Sequence, residues 1–358
     1  MNPIRVLIAD DSVFMRTALT RLIESGLGLK VVGAASHGLE AVEMTAELDP
    51  DVVTLDLEMP RMDGLHALAE IMRRSPRPVI VISALSQQGA ESVLEALDLG
   101  AFDCIGKPVA AGQLDIVQIR DELVAKVRAA AAATWLRRRG RSPSGVASGI
   151  ARPAAVREKA SAPQVIAIGS STGGPLALQR ILSGLPADLP AGVVMVQHMP
   201  RGFTGPFARR LDALSPLAVR EAVSGDIVEP GVALLAPAGK HLTVLSRPGP
   251  RMVVRLQDEP ASARHIPSVD VMMCSVAEAF GSRAMGVILT GMGADGALGM
   301  KAIHDRGGHT VGQDEASCAV YGMSRAAAGL GALSSVAALG DIAGEIINLS
   351  MCAQAVVY

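Results

Sequence analysis

From Ile4 to about Ala125, short apolar runs (RVLIA, KVVGAA, DVVTLDL, RPVIVISAL and FDCIG) alternate with stretches of helical periodicity such as Phe14 to Glu24 and Gly38 to Glu47. Runs that are apolar on both faces and separated by helices predict a parallel sheet covered on each side. The first 125 residues have room for five such strands in a doubly wound α/β domain. Alternation resumes at Gln164 with QVIAIG, AGVVMVQH, VALLAP, AMGVILTG and HTVGQ, each followed by a turn marked by Gly or Pro, and with a hairpin-like HLTVLSRPGPRMVVRLQ. A second α/β domain is therefore expected over 164–358. The halves do not repeat each other's motifs, so they are different modules. Between them, residues 126–163 lose sustained periodicity after Arg139 and are rich in Ala, Ser, Pro, Gly and Arg. This composition predicts a linker, with a helix running into its first part.

Composition agrees with two packed cores. The 358 residues are 49% apolar but only 19% charged and 2% aromatic, which excludes disorder and fibre and predicts cores of Ala, Val, Leu, Ile and Met. The net charge of -2 gives no global basic field of the kind that coats nucleic acid. That average conceals a pattern. Residues 1–125 hold 10 basic and 19 acidic side chains, 126–163 hold 9 and 1, and 164–358 hold 14 and 15. The basic linker is thus placed to lie across an acidic first domain or to reach toward an acidic partner. No apolar run approaches the roughly 18 residues of a membrane span, and the N-terminus reaches Asp10 and Asp11 where a signal peptide would be apolar. A cytoplasmic protein without direct membrane insertion is expected. Cys104, Cys274, Cys318 and Cys352 form no C-x-x-C pair, which suits neither a zinc site nor a disulfide framework.

In the first domain, acids fall at strand ends: Asp10 and Asp11 after RVLIA, and Asp56 within VVTLDLEMP. Ser83 ends VIVIS, and Lys107 follows FDCIG. The C-terminal ends of parallel strands open on one edge, where ligands bind, so these residues converge although dozens of positions separate them. Two or three carboxylates together repel unless a cation joins them, and hard oxygen ligands without His or Cys point to Mg²⁺ at Asp10, Asp11 and Asp56. Ser83 and Lys107 are then placed to contact a phosphoryl group on Asp56. Any one such acid could be a helix N-cap or a turn former. The ordered set resembles a bacterial response-regulator receiver, flavodoxin-like in fold, over about residues 3–125. The resemblance implies that Asp56 takes phosphate from a chemotaxis histidine kinase. Three residues before the lysine, where receivers often carry a switch Tyr or Phe, this chain has Cys104.

In the second domain, QVIAIG runs into GSSTGG and then the helical LALQRILSGL, which satisfies Gly-x-Ser-x-Gly centred on Ser171. Glycines two before and two after the serine permit a tight turn that projects its oxygen beside the N–H groups of a helix N-terminus. A phosphate cradle or a plain turn would read the same. A serine nucleophile needs a base, and His198 ends the strand GVVMVQH at the same sheet edge. His241 and His265 are other possibilities in less strand-terminal contexts. A glycine-dense turn after AMGVILT presents Asp295, the candidate acid for orienting an imidazole, or else a helix N-cap. The order Ser, His, Asp differs from that of α/β-hydrolases.

IAIGSSTGG, VQHMPRGFT, HIPSVD and LTGMGADGALG together resemble the catalytic domain of the chemotaxis response regulator protein-glutamate methylesterase (CheB) family, and nearly the whole chain follows that family's order. The resemblance implies Ser171 as nucleophile, His198 as general base, Asp295 as its partner and the Met292 backbone N–H as an oxyanion donor. It leaves His265 without a firm role. It further implies a γ-glutamyl methyl ester of methyl-accepting chemoreceptors as substrate, some deamidation of receptor glutamines, no cofactor for the ester chemistry, and an unphosphorylated receiver that covers the active site. Two alternatives share the motifs: a hydrolase of the same geometry acting on another ester or amide, and a phosphorylation-controlled docking protein without activity.

Overall fold

The structure is a computed structural model that describes residues 2–83, 87–107, 113–138, 162–246, 251–261, 263 and 265–351. It contains two compact units, divided between Ser142 and Pro143.

The first unit is built in strict β–α alternation. Strands β1 (Ile4–Ala9), β2 (Leu29–Ala35), β3 (Val52–Asp56), β4 (Val79–Ser83) and β5 (Asp103–Gly106) alternate with helices α1 (Val13–Glu24), α2 (Gly38–Leu48), α3 (Gly64–Arg74), α4 (Gln87–Asp98) and α5 (Gln113–Arg138). The sheet is parallel throughout, in the order β2-β1-β3-β4-β5, as the flavodoxin-like arrangement requires. The apolar runs are strands because both faces are covered: Val6, Leu7, Ile8, Val52, Val53, Leu55 and Val79 through Val81 lose essentially all solvent contact. Ser12 caps α1, its hydroxyl accepting from the Met15 N–H, and Asp63 caps α3 by accepting from the His66 N–H. Helix α5 is one rod that runs through position 125 to Arg138, so the helix expected at the start of the linker is the continuation of α5. The rest of the basic stretch, over 139–161, lies outside the described residues.

Inside α5, Lys126 is buried and donates to the Cys104 carbonyl at 2.6 Å, with Asp103 at 3.2 Å and Glu122 at 2.9 Å. Burial opposes its charge, but the two carboxylates outweigh that and raise its pKa well above the ordinary lysine value. Lys126 therefore belongs to the packed interior. Cys104 is 4% exposed, and burial pushes its thiol up to about 12, so it is inert.

The second unit has a seven-stranded sheet, parallel throughout, built from β6 (Val165–Ser170), β7 (Gly192–Gln197), β8 (Ala218–Glu221), β9 (Val232–Leu235), β12 (Ala284–Ile288), β13 (His309–Gln313) and β14 (Ser335–Ala337). The remaining pair, β10 (His241–Ser246) and β11 (Met252–Gln257), is the antiparallel hairpin legible in the sequence. Helices α6 (Gly174–Leu182), α7 (Thr204–Leu214), α8 (Val269–Phe280), α9 (Ala297–Asp305), α10 (Met323–Gly329) and α11 (Leu339–Met351) connect and cover the strands. The order β14-β13-β12-β6-β7-β9-β8 reverses direction at β6, between β12 and β7. Ligands bind at such a switch point in open α/β sheets. Strands β8 and β14 carry no sequence signal of their own, being 4 and 3 residues long at the two sheet edges with mostly part-exposed side chains. No helix among the described residues is long and apolar enough to cross a membrane.

One close approach ties the first fold to its acidic edge. A Cβ on Gly64 would lie 2.1 Å from the Asp56 carbonyl oxygen and 2.6 Å from the Leu57 Cα, and the Gly64 N–H donates to the Leu57 carbonyl at 2.9 Å. Gly64→Ala is expected to destabilise the first unit by about 1–3 kcal/mol, read as a lower urea midpoint for its transition in the full chain. An unchanged midpoint would refute the tight packing of α3 on β3.

Candidate active site and phosphoacceptor site

At the edge of the first sheet the predicted residues meet. Ligand oxygens of Asp10, Asp11 and Asp56 all lie within 4.8 Å of one another. Asp10 and Asp56 are buried, while Asp11 is exposed. Lys107 Nζ donates to Asp56 Oδ2 at 2.6 Å and lies 3.1 Å from Asp10 Oδ2. The Lys107 backbone N–H donates to the Ser83 carbonyl at 2.7 Å, and Ser83 Oγ is buried without a hydrogen-bond partner among the described residues. Burial raises the Asp56 pKa, and the Lys107 hydrogen bond only partly offsets it. Burial lowers that of Lys107, but Asp56 and Asp10 outweigh it and hold the ammonium charged. Three oxygen donors with neither imidazole nor thiolate fit Mg²⁺. The orphaned Ser83 hydroxyl fits a phosphoryl oxygen.

At the switch point of the second sheet, β6 delivers Ser171, β7 delivers His198 and the turn after β12 delivers Asp295. Gly173, two after the serine, has φ +76, and a Cβ there would also meet Ala319 Cβ at 2.5 Å; only glycine makes this turn. Gly169, two before, packs so closely on α8 that a Cβ would lie 2.2 Å from Val269 Cγ1. The Ser171 N–H donates to the Thr290 carbonyl at 3.1 Å. Thr290 Oγ1 donates to the Thr172 carbonyl at 2.9 Å and accepts from the Val320 N–H at 3.0 Å, so the elbow is pinned to the strand end beside it. Met292 follows Gly291, whose carbonyl accepts from the Gly322 and Met323 N–H groups, both at 3.0 Å. This turn lies against the elbow: a Cβ on Gly291 would meet Ser171 Cβ at 2.9 Å.

His198 Nε2 lies 2.8 Å from Asp295 Oδ2. Its Nδ1 is buried and has no hydrogen-bond partner among the described residues. A carboxylate at Nε2 assigns the proton there and leaves Nδ1 as the basic nitrogen, the reverse of the commoner use of the two atoms. The His265 ring stacks on His198 with centroids 4.3 Å apart and planes inclined by 22°. His265, which had no firm role in the sequence, is therefore a wall of the imidazole site.

Asp295 does not cap its own helix, since the N-cap of α9 is Gly296, without a side-chain bond. It caps α8 instead: its oxygens accept from the N–H groups of Val269 at 2.8 Å and Asp270 at 3.0 Å and from the Ser268 hydroxyl at 2.7 Å. The residues of HIPSVD that hold it carried a sequence signal as a motif but no assigned task. Asp270 reciprocates, accepting from the Gly299 N–H of α9 at 2.8 Å. Burial opposes ionisation of Asp295, but His198 and the α8 N–H groups outweigh it and hold its pKa well below the usual carboxylate range. Burial raises the pKa of Asp270, and the neighbouring Asp295 charge adds to the rise. Behind this layer, His241 is fully buried and its Nδ1 accepts from the Ser268 N–H at 3.1 Å. His241 is thus a support of Ser268 rather than a base.

Residues 166–346 match the family model of the CheB methylesterase, and residues 6–117 match that of the response regulator receiver domain. The chain belongs to the CheB methylesterase family. It is 44% identical, over 96% of its length and 99% of the relative's, to protein-glutamate methylesterase/protein-glutamine glutaminase 1 of Oleidesulfovibrio alaskensis. To the protein of the same activity name from Symbiobacterium thermophilum it is 46% identical, over 96% of both chains. The crystal structure of the Thermotoga maritima CheB methylesterase catalytic domain covers 52% of this chain and 98% of its own, with 37% identity and a TM-score of 0.51. Family membership accounts for both units, and a receiver implies Mg²⁺-dependent phosphorylation in general.

Asp295 supplies a test in pH. A carboxyl whose folded pKa is depressed stabilises the fold above its unfolded value, and that stability is lost as pH falls through the folded value. At pH 7, Asp295→Asn is expected to unfold with roughly 2 kcal/mol less stability than the native chain. The gap begins to narrow as pH drops below about 4 and goes on shrinking toward the folded value. Urea unfolding across pH 3–7 measures it, and a gap independent of pH would refute the charge-based account.

Proposed function

We propose that this protein is a phosphorylation-activated serine esterase that removes methyl groups from γ-glutamyl methyl esters of chemoreceptors and deamidates receptor glutamines, with its receiver at 1–125 continued by α5 to Arg138, a basic linker over the remainder of 126–163 and the esterase domain at 164–358. The observation that carries the reading is the His198–Asp295 pair at 2.8 Å with a bare, buried Nδ1 at the same sheet edge as Ser171.

Asp295, held ionised by three donors from α8 and its cap, fixes the His198 proton on Nε2. His198 Nδ1 accepts the Ser171 hydroxyl proton as Oγ attacks the γ-carbonyl carbon. The imidazolium formed is stabilised by Asp295 across Nε2. Negative charge on the substrate oxygen faces the N-terminus of α6 and the Met292 N–H, the oxyanion donor in this reading. The Nδ1 proton passes to the departing methoxide, giving methanol, or to the departing amide nitrogen, giving ammonia, when the substrate is an amide. Water, deprotonated by His198, then cleaves the acyl-enzyme and returns Ser171.

In the receiver, Asp56 is the phosphoacceptor, with a chemotaxis histidine kinase as donor. Asp10, Asp11 and Asp56 would hold Mg²⁺, which when bound neutralises charge on the phosphoryl oxygens. An Asp56 oxygen attacks phosphorus as the P–N bond to the kinase's phosphohistidine breaks and imidazole leaves, Lys107 pairs with the transferred group, and the Ser83 hydroxyl donates to one of its oxygens.

Ser171→Ala is expected to reduce methanol release from methylated receptor to background, and undiminished release would sink the assignment. Asp56→Asn is expected to abolish the rise in release that a small-molecule phosphodonor such as acetyl phosphate produces with Mg²⁺ in the native chain. A variant that responds as the native chain does would remove Asp56 from the switch.

A further inference from the structure

Ser171 and His198 leave their strands in different directions. The ladder between β6 and β7 ends at the pair Ser170 and Gln197, and its last bond runs from the His198 N–H to the Ser170 carbonyl at 3.1 Å. Beyond it, one chain enters the elbow and the other the MPRG turn. What joins them there is a side chain. Gln197, 2% exposed, donates from Nε2 to the Ser171 carbonyl at 2.9 Å and to the His198 carbonyl at 2.8 Å. Its Oε1 accepts from the hydroxyl of Ser170, which is fully buried, at 2.7 Å. Both amide hydrogens are therefore used: the two carbonyls, which only accept, fix which end of the amide carries nitrogen, and the Ser170 hydroxyl then donates to the oxygen. A Cβ on Gly174 would lie 2.0 Å from that Oε1, so the helix that follows the elbow begins with the residue that leaves room for it.

We propose that Gln197 is a positioning residue for the esterase reaction: one buried amide sets the separation of nucleophile and base by holding the main-chain carbonyls of Ser171 and His198. The proposal rests on the reading of those two residues given above. A carboxylate in this place would face two carbonyls with acceptors only, and a thioether would remove the only side-chain donor to either carbonyl, leaving that of Ser171 with the Gly174 N–H at 2.8 Å alone. Either change lets the elbow and the MPRG turn relax apart, and a shift of about 1 Å between reacting groups costs on the order of 100-fold in rate.

Steady-state methanol release by the full-length chain, with labelling of Ser171 by a fluorophosphonate as a second readout, tests this. Gln197→Met is expected to lower kcat and the labelling rate by about 100-fold while KM stays within about 3-fold. Ser170→Ala, which removes the donor to Oε1 and leaves the amide held by the two carbonyls alone, is expected to lower both by about 10-fold. The double variant is expected to match Gln197→Met alone, because the serine acts through the amide. Gln197→Glu keeps the size and the acceptor but not the donors, and it replaces Gln197→Met in the same cycle, with the same expected values, if the latter does not fold. A folded Gln197 variant with native kcat, or a double variant whose loss is the product of the single losses, overturns the proposal. Activity surviving in Ser171→Ala rejects the esterase reading itself. A dead Ser171→Ala beside Gln197 variants of native rate rejects only the role of Gln197.

Discussion

The second unit depends on an exchange of caps. Asp295, in the turn before α9, accepts from the first N–H groups of α8, while Asp270, in the first turn of α8, accepts from the N–H of Gly299 in α9. Each helix end has orphan donors and a partial positive charge, and each is satisfied by a carboxylate that belongs to the other. Two acids are thereby brought close inside the protein, and their environments push them apart in pKa: Asp295 falls and Asp270 rises. The acid with the lowered pKa is the one that faces His198. Structural need and chemical need coincide at one carboxylate, since the group that closes α8 also decides which imidazole nitrogen is basic.

Both units gather their chemistry by the same geometric device on unrelated sequences. Parallel strands place their C-terminal ends on one edge, and the reversal of strand order opens a crevice there. In the first unit the crevice collects hard oxygens and one ammonium. In the second it collects a hydroxyl, an imidazole and a carboxylate. The backbone must approach itself closely at each edge, which explains why Gly64, Gly169, Gly173 and Gly174 sit where a single carbon would collide with main chain or a neighbouring side chain.

Much of this was legible because strand ends are legible. Apolar runs of five or six residues followed by Asp10, Asp56, Ser83, Lys107, Ser171 and His198 fix both the element and the edge. Among the site residues expected from the sequence, the structure brings Asp10, Asp11, Asp56 and Lys107 together, and His198 against Asp295. What stayed hidden are groups that act through other groups. Gln197 reads as one polar residue at the end of a strand, and nothing in its spacing says that its amide spans two loops. His241 opens a hairpin strand, and its task depends on Ser268, 27 positions away. Asp270 looks like an ordinary first-turn acid, which it would be if its hydrogen bonds went to its own helix. Strands β8 and β14 escaped for a different reason: three or four residues at a sheet edge carry no periodicity to detect.

The buried ammonium of Lys126 has a mechanical meaning. It pins α5 to the Cys104 carbonyl of β5, and a 2.6 Å bond to a main-chain oxygen cannot lengthen much without breaking. Strand and helix are coupled here as tooth and rack. Because α5 continues unbroken for 26 residues, a rod of about 39 Å, this one buried bond anchors to the end strand of the sheet a helix far longer than the domain needs to cover it.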